Sequence, residues 1–355
     1  KSQRGGRYIT FEHTAVTPQG RATANMAMIA NDDHIPGFTK LTKEIHQVGG
    51  RIVIQINHAG RGTSSVVTGL PVVGASAIPC PVRKVVPQEL DLEGIRGIID
   101  AFAMAAGRVK AAGADGVEIQ MAHGYLIAQF LSPFSNQRRD EYGGTPAKRR
   151  RMAIEVLEAV RRKVGSDFPV ICRMSGDEYV AGGLKLEDTR EIAKVLEKNG
   201  ADALHVSAGV AASGHLTIPS YYAPEGIFVP LAKEIKSSVK IPVITVGRIR
   251  RGEHAEKIVR DGDANFVAMG RALIADPYLP QKTLEGNNED IIPCISCSRC
   301  SVTGRAGNLK CAVNPHAGRE GDFRLQKATK LKKIWVIGGG PAGMKAAETS
   351  SLRGH

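Results

Sequence analysis

Short β-branched apolar runs alternate along this chain with longer stretches whose apolar positions recur at helical spacing. The runs read as strands are Tyr8 to Thr10, Ile52 to Ile56, Gly116 to Ile119, Val170 to Arg173, Ala203 to Val206, Val243 to Val246 and Phe266 to Met269. Helices are expected around residues 38–48, 93–112, 146–164, 187–199, 228–237 and 252–261. Glycine closes helix after helix before the next strand, as in HQVGGRIVIQI and EKNGADALHV. It can take a left-handed backbone at the helix end without a Cβ clash. Strand–helix alternation with nearly continuous apolar strands predicts a parallel sheet covered by helices. Seven strands are visible where a (β/α)8 barrel has eight. The expectation is therefore an α/β fold, a TIM barrel lacking its first strand, with an open doubly wound sheet as the alternative. Polar and charged residues gather after the strands, in QINHAGR, EIQMAHGY, RMSGDE, TVGRIRRG and AMGRALIADP. In barrels that rim carries the active site.

The barrel pattern stops near residue 277. Three units are expected: the barrel at 1–280, a cysteine segment at 281–325, and the start of a Rossmann-like nucleotide-binding domain at 326–355. The last unit reads as an apolar strand, KKIWVIGGG, running into Gly338, Gly340 and Gly343 and then a helix. Glycines at that spacing allow a tight turn and close approach of a pyrophosphate to the helix N-terminus. The second strand with its ribose-binding acid does not follow, so this unit reads as a fragment that cannot close a site alone.

Four of the six cysteines, Cys294, Cys297, Cys300 and Cys311, fall in CISCSRCSVTGRAGNLKC. Short spacers let consecutive thiolates converge on one centre, and the fourth returns after a loop. Tetrahedral zinc and an iron–sulfur cluster both satisfy that spacing. Three close cysteines and one distant, rather than two pairs, favour [4Fe–4S]. Cys80 and Cys172 read as buried free thiols.

Charge narrows the partners. The net charge is +13, yet the basic residues form no stripe with interleaved aromatics. Nucleic-acid binding is therefore not expected, and anionic cofactors are the easier use of the charge. No apolar run reaches the roughly 18 residues of a membrane span, and no signal peptide opens the sequence. A cytoplasmic protein is expected, with its oligomeric state left open.

Together, QINHAGR (55–61), EIQMAHGYLIAQFLSPFSNQRRDEYGG (118–144), VGRI (246–249), MGRALIADP (269–277) and the cysteine segment resemble the old yellow enzyme superfamily. The likeness is to its multi-cofactor branch of 2,4-dienoyl-CoA reductases, 2-enoate reductases and trimethylamine dehydrogenase. The resemblance implies FMN in the barrel, a [4Fe–4S] cluster beside it, FAD in the next domain, and NAD(P)H as reductant. It implies that Gln55 hydrogen-bonds the flavin pyrimidine edge and that Arg173 lies near flavin N1. Gly247, Arg248, Gly270 and Arg271 match the FMN phosphate site. Tyr125 matches the proton donor, while His123 and Gln120 match the polar pair that grips a substrate carbonyl. Gln120 departs from the histidine usual there, which implies a weaker clamp or a different substrate. His215 could match a second histidine assisting the tyrosine. The expected activity is reduction of the C=C bond of an unsaturated acid, thioester or ketone. Amine dehydrogenation is the alternative, supported by the C-x2-C-x2-C spacing. A non-catalytic protein with a structural zinc site is a third.

Overall fold

A computed structural model describes residues 8–323 and 325–355. Seven parallel strands form one sheet: β1 (Tyr8–Ala15), β2 (Arg51–Asn57), β3 (Gly116–Met121), β4 (Val170–Ser175), β5 (Ala203–Ser207), β6 (Val243–Thr245) and β7 (Phe266–Val267). Their order in space is their order in the chain. A doubly wound sheet reverses its order part-way and carries helices on both faces. Here the order never reverses, so the doubly wound alternative is set aside in favour of a partial barrel.

The helices α1 (Ile35–Gln47), α2 (Leu92–Ala111), α3 (Leu126–Leu131), α4 (Pro146–Val164), α5 (Leu186–Lys198), α6 (Val229–Lys236) and α7 (Gly252–Arg260) follow the strands. Residues two apart on a strand share a face. One face sets Ile54, Ile56, Val117, Ile119, Cys172, Leu204 and Val206 against helix residues such as Phe102, Val156 and Ile192 in the main core. On the other face Val53, Ile171 and Ile244 form a smaller apolar layer. Beyond it, toward the strand ends, that face turns polar: Gln55 is in register with Glu118, Gln120 with Arg173, and Arg173 with His205. The predicted glycines close α1, α2, α5 and α7, with φ of 73° at Gly49, 79° at Gly113, 99° at Gly200 and 78° at Gly262.

Between β2 and α2 the chain makes an excursion in which Val73–Gly74 pairs with Gln88–Glu89. Arg138, from the QRRDEYGG motif, ties it down. Its buried guanidinium donates to Ala75 O at 3.0 Å and Leu90 O at 2.6 Å, and pairs with Asp140 at 2.5 Å. This part of the motif is therefore structural.

After β7 come α8 (Arg271–Ala275), α9 (Leu279–Leu284) and α10 (Arg299–Arg305), the last inside the cysteine segment. The expected terminal strand is not formed: residues 334–337 have no sheet partner, and Trp335 and Ile337 are exposed. A strand needs a neighbour for its N–H and C=O groups, and none pairs with these among the described residues. The turn after it is nonetheless built. Gly338 has φ 105°, and a Cβ on Gly343, in helix α11 (Pro341–Leu352), would lie 1.9 Å from Gly338 O. The helix start has the close packing such a motif requires, without the sheet of a Rossmann domain.

Replacing Arg138 by Met would leave two carbonyls and a carboxylate without their buried cation. A loss of about 3–5 kcal/mol is expected, seen as a lower urea midpoint at unchanged slope. A loss below about 1 kcal/mol would contradict the anchoring role.

Candidate active site

A cavity of about 710 Å³ opens at the C-terminal ends of the strands, within the roughly 300–1,000 Å³ range of small-molecule sites. Its wall takes Glu12 and His13 from β1, Tyr125 after β3, Ser207 at the end of β5, Gly247 to Arg250 after β6, and Met269 to Ala272 after β7. The cysteine segment closes one side with Cys294, Ser296, Cys300, Ser301 and Arg305. Parallel strands all present their ends to one rim, which is why residues more than 250 positions apart in sequence meet here.

The two Gly-Arg pairs lie side by side in this wall. Gly247 has φ 123°, and a Cβ there would stand 2.5 Å from the Phe228 ring, so only glycine fits. Arg248 donates to Ala223 O and, at 3.3 Å, to Ser296 Oγ. Arg271 donates to Pro219 O at 2.7 Å and Ser298 Oγ at 3.4 Å. Neither has a carboxylate partner among the described residues, whereas Arg250 pairs with Glu225.

Beneath the cavity runs a buried polar chain. Gln55 donates to Glu118, and Gln120 donates to Gln55 Oε1 at 3.1 Å. His205 Nδ1 lies 2.8 Å from Glu118. Burial lowers the His205 pKa, so the ring is neutral and its Nδ1–H donates to the carboxylate. Burial works against the Glu118 charge, but His205, Arg173 and Gln55 together bring its carboxyl below the ordinary range. Arg173 Nε, His205 Nε2 and Asn57 Oδ1 are buried with no partner among the described residues. A buried cation and orphaned polar atoms at one end of a sheet fit a polar heterocycle such as a flavin, and the two Gly-Arg pairs fit its phosphate.

Tyr125 precedes α3 and lines the cavity. Burial raises its pKa, against the opposing pull of Arg305 and Arg173, so the phenol stays protonated. His123 sits in a left-handed backbone conformation, φ 61°. Its Nε2 is 2.9 Å from the Ser207 hydroxyl, just behind the wall. Burial, then Arg173 and His205, drive its pKa well below the ordinary value. Gln120 does not reach the cavity: besides bonding Gln55, it accepts from Ala122 N at 3.0 Å. Both ends of its amide are engaged inside the protein, so the structure gives it no hand on a substrate. His215 is exposed on the helical turn Gly214–Thr217, outside the cavity wall.

The four cysteines are not gathered into a metal-binding group, and no such group of His, Cys, Asp or Glu occurs among the described residues. Cys294 is buried, Cys297 exposed, and Cys300 and Cys311 intermediate. Burial raises the Cys300 thiol pKa, with Cys294 and Cys311 adding to it. Cys294, Cys300 and Cys311 are thus within electrostatic reach of one another, while Cys297 is exposed.

Sequence reasoning passed over His13, Glu118, His205 and Arg305. The Glu118–His205 contact spans 87 positions, and no local spacing announces it.

The family described as NADH:flavin oxidoreductase / NADH oxidase matches residues 1–290. The chain belongs to it. Within this flavin oxidoreductase family, an NADH oxidase of Thermoanaerobacter brockii is 45% identical over 99% of the chain and 55% of its own length. A solved 2-naphthoyl-CoA reductase is 31% identical with a TM-score of 0.94, covering 100% of the chain and 56% of that structure. Histamine dehydrogenase from Rhizobium sp. 4-9 is 31% identical with a TM-score of 0.90, covering 100% and 53%. The chain spans about half the length of the curated relatives it matches first. No helix among the described residues is long and apolar enough to cross a membrane.

The histidines with lowered pKa set a pH dependence for this family member. Burial holds His13 and His58 down to about 4, and His123 and His205 are lowered too. Unfolded histidines bind protons near pH 6.5. Below that, the unfolded chain holds more protons than the folded one, so stability falls with pH. The stabilisation is complete above about pH 6.5 and drains away toward pH 4. The lowered Glu118 carboxyl acts in the same direction. The urea midpoint should fall steadily from about pH 7 to about pH 4.5; a flat profile would contradict the assignment.

Proposed function

We propose that this chain is the catalytic barrel of an NAD(P)H-dependent flavin reductase. Its substrate is a C=C bond conjugated to a carbonyl in an unsaturated acid, thioester or ketone. The observation that carries the reading is the Tyr125 phenol sharing one cavity with two Gly-Arg strand ends. Gly247, Arg248, Gly270 and Arg271 would hold the phosphate of FMN, and Gln55 and Arg173 its ring. When bound and reduced, FMN supplies hydride. Arg173 places a buried cation where an anionic reduced ring is favoured. Tyr125 delivers a proton to the substrate carbon from a group kept neutral at working pH. Glu118 and His205 fix the Gln55 amide, and Gln120 holds it from the other side. The likeness to a 2-naphthoyl-CoA reductase supports reduction of an acyl substrate.

Amine dehydrogenation is the second reading, favoured by the cysteine spacing and by the histamine dehydrogenase likeness. We propose further that Cys294, Cys297, Cys300 and Cys311 are ligands of a [4Fe–4S] cluster, and that Gly338, Gly340 and Gly343 belong to an FAD site. Neither role enters the chemistry argued above. Iron and acid-labile sulfide in anaerobically purified protein test the first, and extracted FAD the second.

The test of function is anaerobic. NADH or NADPH should bleach the flavin of the purified protein, and an enoate or enoyl-CoA should restore its colour. Tyr125→Phe should slow that reoxidation by about 10²–10⁴-fold. Bleaching by a small amine, with no response to either nucleotide, would overturn the reductase reading.

A further inference from the structure

The substrate clamp expected of Gln120 is missing from the cavity, and a different side chain occupies a position to supply it. We propose that His13 is a substrate-binding residue whose Nε2–H donates to the carbonyl oxygen of the unsaturated substrate. The inference rests on the reductase reading above.

Three observations place it. The register between β1 and β2 breaks between Phe11 and Thr14, and Glu12 and His13, the residues in the break, both line the cavity. A bulge re-aims side chains that regular alternation would send elsewhere. Second, Asn57 Nδ2 lies 3.0 Å from His13 Nδ1. An amide N–H only donates, so Nδ1 is the acceptor and the neutral ring carries its proton on Nε2. Asn57 is itself fully buried at the end of β2. Third, the His13 ring lies 5.2 Å from the Tyr125 ring, tilted by 36°. The proposed oxygen donor and carbon-protonating acid are therefore neighbours. Burial and the facing cations Arg173 and Arg305 favour the neutral ring.

A bound, reduced flavin would supply hydride to the β-carbon, forming a C–H bond there. The π pair of the C=C bond moves toward the carbonyl, and negative charge develops on its oxygen. His13 Nε2–H holds that oxygen without transferring its proton, as a neutral imidazole can. The pair then takes the Tyr125 proton at the α-carbon, and the phenolate regains a proton from solvent. The substrate gains two hydrogens and the flavin is oxidised.

Two measurements test this. Long-range ¹H–¹⁵N correlation on the ¹⁵N-labelled chain, with His13 assigned by its loss in His13→Gln, should show the Nε2–H tautomer, unchanged between about pH 6 and 8. The Nδ1–H tautomer, or protonation near the ordinary pKa, would overturn the proposal. In the flavin-loaded enzyme, His13→Ala should lower kcat/KM for an enoate by about 10²-fold or more, with part restored in His13→Gln. Unaltered kcat/KM in both variants would overturn it. Should the wild-type enzyme reduce no conjugated carbonyl at all, the functional reading fails whatever the tautomer, so the two failures are distinguishable.

Discussion

Positive charge without a carboxylate partner, held at one end of a parallel sheet, is the constraint on which this structure turns. Arg248 and Arg271 stand at the strand ends, and among the described residues their hydrogen-bond partners are carbonyls and hydroxyls; Arg173 lies in the field of Glu118, with its buried Nε left without a partner. Desolvated charge is costly unless it meets an opposite charge. A fold that gathers such groups at a cavity is complementary to an anion. The direction of the chain makes the gathering unavoidable: every strand of a parallel β/α sheet delivers its following loop to the same rim. The cysteine segment joins in through Ser296 and Ser298, which accept from the two arginines proposed to hold phosphate. The segment is thereby fastened to the barrel at the cavity it covers.

The chain Gln120–Gln55–Glu118–His205 answers a different problem. The polar face of the sheet must present a defined hydrogen-bonding edge upward while staying satisfied below. A lone buried glutamine could flip its amide. Here Glu118 accepts from its nitrogen and Gln120 donates to its oxygen, so the orientation is fixed from both sides. Gln120 thus works as a support, which accounts for a residue that would be a weak electrophile at the same position. His123 and Ser207 provide a comparable brace behind the Tyr125 wall.

Much of this architecture was legible in the sequence. Apolar runs ending at glycine-closed helices located all seven strands, because burial on both faces leaves little freedom in composition. Gly247-Arg248 and Gly270-Arg271 were legible because two such pairs fell at consecutive strand ends. Four features escaped for identifiable reasons. LIAQFL, inside a long motif, is too short for periodicity to separate helix from strand, and it forms α3. IWVI near the C-terminus has strand composition, but pairing depends on partners that composition does not supply. His13 lay beyond the expected Tyr8 to Thr10 strand and carried no signal of its own, since a register break depends on the neighbouring strand. Gln120 was placed correctly in the motif, yet its rotamer depends on Gln55, 65 positions earlier.

The most direct test of the central claim is binding of FMN against riboflavin, followed by flavin fluorescence quenching on the chain freed of flavin. The account predicts that FMN binds about 100-fold or more tightly than riboflavin, since charge-assisted contacts to phosphate are worth roughly 1.5–3 kcal/mol each. The double variant Arg248→Ala/Arg271→Ala should lose most of that difference. Equal affinity of the unaltered chain for the two flavins would contradict the assignment of the arginine rim to a phosphate.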